Sequence, residues 1–396
     1  MTWAMSTIGE QFDVQLGKML DAAKNVGVSK PYLGNRAVQW GRIDASVAGV
    51  VPMTRSDIQR YRLREGDLLV CEGGEVGRGA IWRNQLPECY YQKALHRLRA
   101  KNGYDARVML ALLQHWSSIG AFSDFVTQTS IAHLPREKFI LMPLPLPSEA
   151  EQRRIGDALQ DADDLIATLE RLIEKKQAIK QGMIQALLSG RTRLPGFVEP
   201  WLPSVGLTEI ATKMAGCWGS EPGTAELDGQ VIRAGDVGAD NVLRGSVQRG
   251  LTMSEAARSR CEVGDVVLTA SGTIGNVAFI DRTGLYASNF VRVLRPKRGL
   301  LGSYLYYALQ SAVARRAMDS HLGVSAMPNL GGGFYREPWL ELPSVDEQGA
   351  IVEVLTDASR ELDRLFARRD KARAIKNGMM QQLLTGRVRL PVEAVS

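Results

Sequence analysis

Cysteine and histidine are scarce in this sequence, and their scarcity limits the chemistry that the chain can perform. The 396 residues include four cysteines, which form no CxxC pair: Cys71, Cys89, Cys217 and Cys261. This spacing disfavours a disulfide scaffold or a zinc knuckle, and unpaired thiols suit a reducing cytoplasm. The four histidines have no metal-ligand spacing, so we expect them to be structural and expect no bound metal.

Membrane and catalytic signatures are also missing. There is no run of 18 apolar residues to cross a membrane, and residues 1–15 carry acids where a signal peptide would be apolar. No GxxxxGK[ST] loop is present, so we expect no ATP hydrolysis. The Asn/Asp-Pro-Pro-aromatic segment with which amino-methyltransferases hold a target base is absent as well. We therefore predict a cytoplasmic chain without its own catalysis or cofactor.

Positive charge comes mainly from arginine. The chain has 36 arginines, 13 lysines and a formal net charge of +6, while 45% of its residues are hydrophobic and 23% charged. The composition is that of a globular chain, and its length predicts two or three domains. Because the arginine fork matches phosphates and guanine edges, the bias favours a nucleic-acid partner.

A tandem duplication organises the chain. LPSEAEQRRIGDALQDA, which begins at Leu146, matches LPSVDEQGAIVEVLTDA, which begins at Leu342, and the match continues without a gap to Pro195 and Pro391. Of the 50 aligned pairs, 24 are identical at an offset of 196 residues. The chain is therefore a variable block, a repeated block, a second variable block and the repeated block again.

Weaker echoes connect the two variable blocks. Residues 64–70 (REGDLLV) correspond to 262–268 (EVGDVVL), each followed by a Gly-x-x-Gly segment, and residues 92–99 resemble 289–295. Gly-Asp before an apolar run predicts a turn into a buried strand, and Gly-x-x-Gly predicts a tight turn into the next strand. Both blocks are predicted to share a mixed α/β fold.

Each repeated block is predicted to be one long helix with a coiled-coil seam. Apolar residues recur with four-and-three spacing at Ile155, Leu159, Ile166, Leu169, Ile351, Leu355, Leu362 and Leu365. Basic residues interrupt the seam at Lys176, Lys180, Arg369 and Lys376. A helix over residues 149–189 spans roughly 60 Å.

Both helices carry matching signals at their ends. The pairs Ser148–Glu151 and Ser344–Glu347 are capping boxes, and Gly190 and Gly386 follow the last apolar residues. We predict domains at 1–145, 146–195, 196–341 and 342–396: a variable block, a helix, a second variable block and a second helix. The two helices are expected to pair as an antiparallel coiled coil with pseudo-twofold symmetry.

This arrangement resembles the specificity subunit of type I restriction–modification systems over essentially the whole chain. The residues that carry the likeness are the LP-x-x-x-E-Q starts at Leu146 and Leu342 and the helix ends at 187–191 (LLSGR) and 383–387 (LLTGR). The resemblance implies that each variable block is a target recognition domain for one half of a split, asymmetric DNA site. It implies that the helices set the spacer and bind two modification subunits, and that restriction subunits join the assembly. S-adenosylmethionine, ATP and Mg²⁺ are then cofactors of those partners.

Polar residues in the variable blocks are candidate contacts to double-stranded DNA. In the first block they are Lys30, Tyr32, Asn35, Arg36, Gln39, Arg42 and Arg78. In the second block they are Arg233, Asn241, Arg244, Gln248, Arg249 and Asn276. Direct base reading and phosphate binding need these residue types. An ordinary solvated loop or strand edge explains the same pattern.

A basic stretch of the second helix has two interpretations. It is either a solvated face or a contact to a partner subunit or to spacer DNA, and its residues are Arg360, Arg364, Arg368, Arg369 and Arg373.

The tryptophans are expected in the core: Trp40, Trp82, Trp116, Trp201, Trp218 and Trp339.

For the whole chain, two rival functions stay open: a protein–protein scaffold that binds no DNA and a stand-alone endonuclease. The endonuclease is disfavoured because the sequence lacks a cluster of catalytic carboxylates.

Overall fold

The chain folds into two compact units. The computed structural model describes residues 3–21, 25–128, 132–323 and 328–391. Unit one comprises residues 1–170 and 367–396, and unit two comprises residues 171–366. Each unit therefore contains one variable block, the beginning of one long helix and the end of the other.

Unit one combines short strands with helices. Its strands are β1 Ala4–Thr7, β2 Phe12–Leu16, β3 Val28–Leu33, β4 Val38–Gln39, β5 Arg42–Ile43, β6 Gly49–Met53, β7 Leu68–Cys71, β8 Gly79–Ile81, β9 Tyr90–Tyr91, β10 Leu95–Ala100, β11 Thr127–Gln128, β12 Ala132–His133 and β13 Pro143–Leu146. Its helices are α1 Ile8–Gln11, α2 Arg55–Tyr61, α3 Ala106–Ser118 and α4 Arg136–Phe139, followed by the long helix α5 Glu149–Leu187. The main sheet has the antiparallel order β2-β10-β7-β8, and a second sheet has the order β6-β3-β9.

Unit two repeats this plan. Its strands are β14 Leu202–Val205, β15 Ala211–Met214, β16 Leu227–Ile232, β17 Val247–Leu251, β18 Val266–Ser271, β19 Thr273–Phe279, β20 Leu285–Ala287, β21 Val291–Pro296 and β22 Leu340–Leu342. Its helices are α6 Leu207–Ile210, α7 Met253–Ser259, α8 Gly302–Ala308, α9 Ala312–Asp319 and α10 Gly333–Arg336, followed by the long helix α11 Val345–Leu383. The sheets β15-β21-β18-β19 and β17-β16-β20 correspond strand by strand to those of unit one. The predicted tandem α/β fold is confirmed.

The ends of the long helices form as expected. Ser148 and Glu151 make a reciprocal capping box, with the Ser148 amide donating to the Glu151 carboxylate at 3.1 Å. At the second helix the Glu347 amide donates to the Ser344 hydroxyl at 3.3 Å. Gly190 and Gly386 have φ of +66° and +69°, the left-handed conformation that ends a helix at glycine.

The two long helices run antiparallel within each unit. In unit one, Lys376 pairs with Asp163 at 2.6 Å, and Arg373 pairs with Glu170. In unit two, Lys176 pairs with Glu361 at 2.8 Å. In unit one, rising residue numbers on α5 thus meet falling numbers on α11. In unit two, Ile184 and Leu187 further along α5 share a core cluster with Ile351 and Leu355, which precede Glu361 on α11. The predicted antiparallel pairing is confirmed.

Each helix start is buried against the tail that follows the other helix. In unit one the buried Glu151 carboxylate accepts from Arg389 at 2.7 Å, and the Trp3 ring packs on Gly386. In unit two Glu347 accepts from Arg193 at 2.6 Å and from the Trp201 indole at 3.0 Å. Because both carboxylates are almost fully buried, each depends on its arginine for charge compensation.

The seam residues belong to the cores of the units. Ile155, Leu159, Leu169, Ile351, Leu355 and Leu362 are buried, whereas Ile166 and Leu365 are half-buried. Ile155 and Leu159 pack with Tyr104 and Val108 of the first block, so the recognition block shares the seam. Of the seam lysines, Lys376 is buried and bonded to Gln114 and Asp163.

The repeated Gly-Asp segments lead into buried strands, as predicted. Every residue of β7 and β18 is buried. Asp67 and Asp265, both about 1% exposed, each accept two hydrogen bonds from one arginine: Arg99 at 2.7 Å and Arg295 at 2.9–3.0 Å. Residues 92–99 and 289–295, which resemble each other in sequence, thus each end at the arginine that pairs with the buried aspartate of its unit.

The tryptophan prediction is wrong at one position. Trp82 is buried, and Trp40, Trp116, Trp201 and Trp339 are half-buried against apolar clusters, but Trp218 is 65% exposed. Trp218 stands on a loop after β15, where the ring of Phe290 meets it at a right angle and most of the indole stays exposed. The hydrophobic character of this residue in the sequence therefore did not indicate burial. All four cysteines are free and buried, and no helix in the described ranges is long and apolar enough to cross a membrane.

His96 is a structural histidine inside unit one. It is fully buried beside Phe139, and because a carbonyl can only accept, its Nε2 donates to Leu134 O at 2.9 Å. Burial lowers the pKa of His96 to about 4, with the nearby Arg136 also disfavouring the charged form. The ring is therefore neutral in the folded state at pH 7.

We predict that Asp67→Ala lowers the free energy of unfolding by about 3 kcal/mol, because it leaves the Arg99 guanidinium without its buried partner. Asp265→Ala in unit two should cost a similar amount. The measurement is urea denaturation followed by tryptophan fluorescence. The control is Asp281→Ala, an exposed partner of Arg282, with an expected change below about 0.5 kcal/mol. Equal effects at Asp67 and Asp281 would contradict this assignment.

We also predict that unit one loses stability as the pH falls from 6.5 toward 4. The unfolded histidine takes up a proton near its ordinary pKa of 6.5, but the folded one does so only near 4. Protonation of His96 in the unfolded state therefore lowers the free energy of unfolding by up to about 3 kcal/mol as the pH falls from 6.5 to 4. Comparing wild type with His96→Asn in urea at each pH isolates this contribution from the carboxylates. Parallel stability–pH curves would rule it out.

Candidate nucleic-acid interface

In unit one, residues 92–94, here called the connector, hold three loops together. The loops are residues 17–21 after β2, residues 34–37 after β3 and the glycine turn at residues 72–78. Three backbone hydrogen bonds make the connections: Lys93 N to Lys18 O (2.8 Å), Gln92 N to Leu33 O (3.0 Å) and Glu72 N to Ala94 O (3.0 Å). One short segment thus brings together loops that are far apart in the sequence.

Unit two has an equivalent connector at residues 288–290. It joins the loop after β15, the end of β16 and the end of β18, beside the turn at Gly272. The hydrogen bonds are Asn289 N to Cys217 O, Ser288 N to Ile232 O and Ala270 N to Phe290 O, each at 2.9 Å. The three connecting hydrogen bonds are therefore the same in both units, whereas the side chains around them differ.

Glycine lets the turns adopt their shape. Gly74 and Gly272 have φ of +76° and +73°, and a side chain at either would meet no atom of the described residues within 4 Å. Glycine is thus needed there for the left-handed backbone.

Four of the sequence candidates hold these loops in shape. Arg78 donates to Asn35 O and to Glu75, both at 3.1 Å, and Asn276 at the equivalent position donates to Val237 O at 3.0 Å. Both therefore tie the glycine turn to the loop beside it. Asn35 Nδ2 donates to Gly73 O, and Asn241 Oδ1 accepts from Val277 N. Contact of these four with DNA stays a prediction.

Other candidates lie in surface ion pairs. Lys30 pairs with Glu88 at 2.6 Å, Arg233 with Asp236 at 3.0 Å and Arg244 with Asp240 at 2.6 Å. Burial acts to raise the pKa of Asp236, but the hydrogen bonds from Arg233 outweigh it and hold that pKa below its ordinary value. The arginine ends of the last two pairs are more than half exposed, so a competing anion can replace the carboxylate at little cost.

The remaining candidates are differently placed. Arg36 and Arg42 are exposed, and neither forms an ion pair with a described residue. Tyr32 is half-buried on β3 with its ring over Gly49, and Arg249 on β17 packs against the backbone of Gly219. The loop after β3 therefore presents the exposed guanidinium group of Arg36, a group that suits phosphates and the polar edges of bases.

Sequence reasoning missed the connector. The likeness between residues 92–99 and 289–295 was visible, but backbone hydrogen bonds leave no signature in side-chain identity. Burial raises the pKa of Glu72 at the start of the first glycine turn, with the nearby Lys93 acting against it. Within the described ranges, no group of three His, Cys, Asp or Glu side chains is placed to hold a metal ion.

Comparisons with known proteins agree on one family. The profile described as "Type I restriction modification DNA specificity domain" matches residues 1–181 and 238–370. The chain is 22% identical over 280 residues to the type I restriction enzyme MjaVIII specificity subunit of Methanocaldococcus jannaschii, a match that spans 66% of each chain. It is 20% identical over 384 residues to the EcoKI specificity subunit of Escherichia coli, covering 89% of this chain and 80% of that one.

A solved structure has the same fold. The S subunit of a type I restriction–modification system from M. genitalium superposes with a TM-score of 0.60 at 15% identity. The alignment covers 99% of this chain and 97% of that one.

We predict that Arg78→Ala lowers the free energy of unfolding by about 1–3 kcal/mol, because its charged hydrogen bonds to Asn35 O and Glu75 are lost. Asn276→Ala should act in the same direction and cost about 1 kcal/mol. Arg36→Ala is the matched control and should change stability by less than about 0.5 kcal/mol, since it removes an exposed side chain. The measurement is thermal unfolding of the three variants. If Arg78→Ala and Arg36→Ala have the same melting temperature, Arg78 does not support the turn.

Proposed function

This chain belongs to the type I restriction–modification DNA specificity family, and we propose that each of its units reads one half of a split DNA site. DNA recognition is the role of this family, so the proposal concerns how this chain performs it. The observation that carries it is the shared connector: two units with one backbone arrangement present different side chains on the same three loops.

Divergent loops on a common backbone favour an asymmetric site. The turn after β3 carries Asn-Arg-Ala at residues 35–37, whereas the equivalent turn after β16 carries Ala-Gly-Asp at residues 234–236. Identical loops would read identical half-sites and select a palindrome. Different donors and acceptors select different bases, because each base pair shows its own pattern in the major groove.

DNA affinity is assigned to five arginines, of which Arg249 is half-buried and the others are exposed. Arg36, Arg42 and Arg249 supply guanidinium groups for phosphates or guanine edges. Arg233 and Arg244 join them by exchanging their carboxylate partners for phosphate. Lys30 and Tyr32 flank this surface on β3. Asn35, Arg78, Asn241 and Asn276 set the loop shape on which these contacts depend.

The long helices are assigned the spacer and the docking of partner subunits. In this proposal the α5–α11 pair sets the number of unread base pairs and binds two modification subunits, which methylate adenine, while restriction and translocase subunits join the assembly. S-adenosylmethionine, ATP and Mg²⁺ serve those subunits, this chain is not catalytic, and the complex works in the cytoplasm. The absence of a phosphate loop and of an amino-methyltransferase segment in the sequence supports this division.

We predict that a host expressing the partner methyltransferase gains a two-part modified-adenine motif only when this chain is present. Methylome sequencing with and without the chain is the measurement, and the methyltransferase alone is the control. An active methyltransferase without a chain-dependent motif would favour the protein–protein scaffold. DNA cleavage by the purified chain with Mg²⁺ alone would overturn the non-catalytic assignment.

Duplication of one variable block provides a second readout. When residues 4–145 replace residues 202–341, both units carry the loops of unit one, and the modified motif should become a palindrome of one half-site, because specificity travels with the loops. The spacer length should stay the same, since the helices are unchanged. Retention of the original asymmetric motif by this chain would contradict the assignment of one half-site to each unit.

A further inference from the structure

Trp218 presents a rigidly held aromatic ring to solvent in unit two. It is 65% exposed, and its ring meets that of Phe290 edge-on at 5.5 Å between centroids. The amide of Asn289 lies between the Gly216 carbonyl and the Trp218 indole N–H and can bond both. The polar edge of the indole is thus satisfied by the protein while its apolar surface is open, an arrangement typical of contact residues.

Unit one exposes apolar side chains at the same place. Lys18 and Cys217 are equivalent because their carbonyl oxygens accept the central hydrogen bond of the two connectors. The next residues are Met19 and Leu20 in unit one, 63% and 39% exposed, and Trp218 in unit two. Met19 and Leu20 line an open groove of about 340 Å³ together with Glu72 and with Gln92, Lys93 and Ala94 of the connector.

The duplication makes this correspondence informative. Both units keep a large apolar group exposed beside the connector, although the side chain has changed from Met-Leu to Trp. Exposure in one unit alone is a common surface feature. In this chain both units expose an apolar side chain at the equivalent position, and the two side chains differ in shape. This is expected if both units contact the same kind of partner at sites that differ in chemical detail.

The surroundings of Trp218 are basic and polar. Arg258 donates to Gly216 O at 3.4 Å, Arg292 donates to Asn289 O at 2.6 Å, and Arg249 packs on Gly219. The Glu255 carboxylate accepts from the Gly219 amide at 3.4 Å and pairs with Arg258 at 3.6 Å, while Glu221 lies exposed further along the loop. An apolar ring among arginines matches a DNA groove, where thymine methyl groups lie between phosphate rows.

We propose that Trp218 in unit two, and Met19 with Leu20 in unit one, are specificity-determining residues that contact a thymine methyl group in their respective half-sites. This rests on the proposed function, since it assumes that each unit reads one half-site. The methyl group is the apolar feature that distinguishes thymine in the major groove, and an apolar side chain reads it by burying it. The different shapes of the two contacts then contribute to the asymmetry of the site.

Base selection by the assembled complex tests the residues. The full chain, bound to its methyltransferase subunits, is presented with DNA in which each position of the site is randomised in turn. Trp218→Ala should relax the preference at one T·A pair in one half-site by roughly five- to a hundredfold, the range that one mismatched pair costs. Met19→Ala with Leu20→Ala should do so in the other half-site. Val263→Ala, which truncates another exposed apolar residue of unit two, should leave both half-sites unchanged.

Replacing thymine by uracil tests the same contact without changing the protein. Uracil lacks only the C5 methyl group, so it should weaken wild-type binding about fourfold at the identified position. The same replacement should have no effect on the Trp218→Ala complex. Trp218→Phe, which keeps an apolar ring, should retain part of the thymine preference.

The outcomes separate the two levels of the proposal. If the wild-type complex selects no sequence, the proposed function fails. If it selects a two-part site but Trp218→Ala and uracil leave the preferences intact, the thymine contact is wrong and the proposed function stands. If Trp218→Ala loses methyltransferase subunits during purification while base preference is unchanged, the ring is a protein contact, which also overturns the inference.

Discussion

The structure depends on the burial of each long helix start against the end of the other. Ile155 and Leu159 complete the core of unit one, and Ile351 and Leu355 complete that of unit two. At each start a buried carboxylate needs an arginine from the segment behind the other helix, so neither unit is complete without both copies of the repeated block. Duplication of one block-plus-helix element therefore produced two interdependent units.

In the variable blocks, the position of the loops and the chemistry of their surface are determined by different groups. Backbone hydrogen bonds from the connectors place the loops, and these bonds do not depend on the identity of the side chains at most positions of residues 92–94 and 288–290. Side chains such as Arg78 and Asn276 then stabilise the local shape. Substitution elsewhere on the loops can alter what is recognised without moving the backbone, which is the property expected of a DNA-reading unit whose specificity changes during evolution.

Burial and hydrogen bonding divide the polar candidates into two groups. Arg78 and Asn276 spend their donors on carbonyl groups of the protein, so their removal acts first on stability. Arg36 and Arg42 are exposed and form no ion pair within the described residues. Sequence type alone does not separate these groups, because arginine and asparagine suit both purposes.

The sequence by itself determined the duplication, the two long helices, their caps and the buried strands, because periodicity and local turn chemistry act between residues close in the chain. Helix starts at Glu149 and Val345 agree with the capping signals within a few residues. Only the tertiary structure decided which polar side chains face inward, which loops meet at the connectors and why Trp218 is exposed. Those outcomes depend on backbone hydrogen bonds and packing between distant segments, which residue identity does not encode locally.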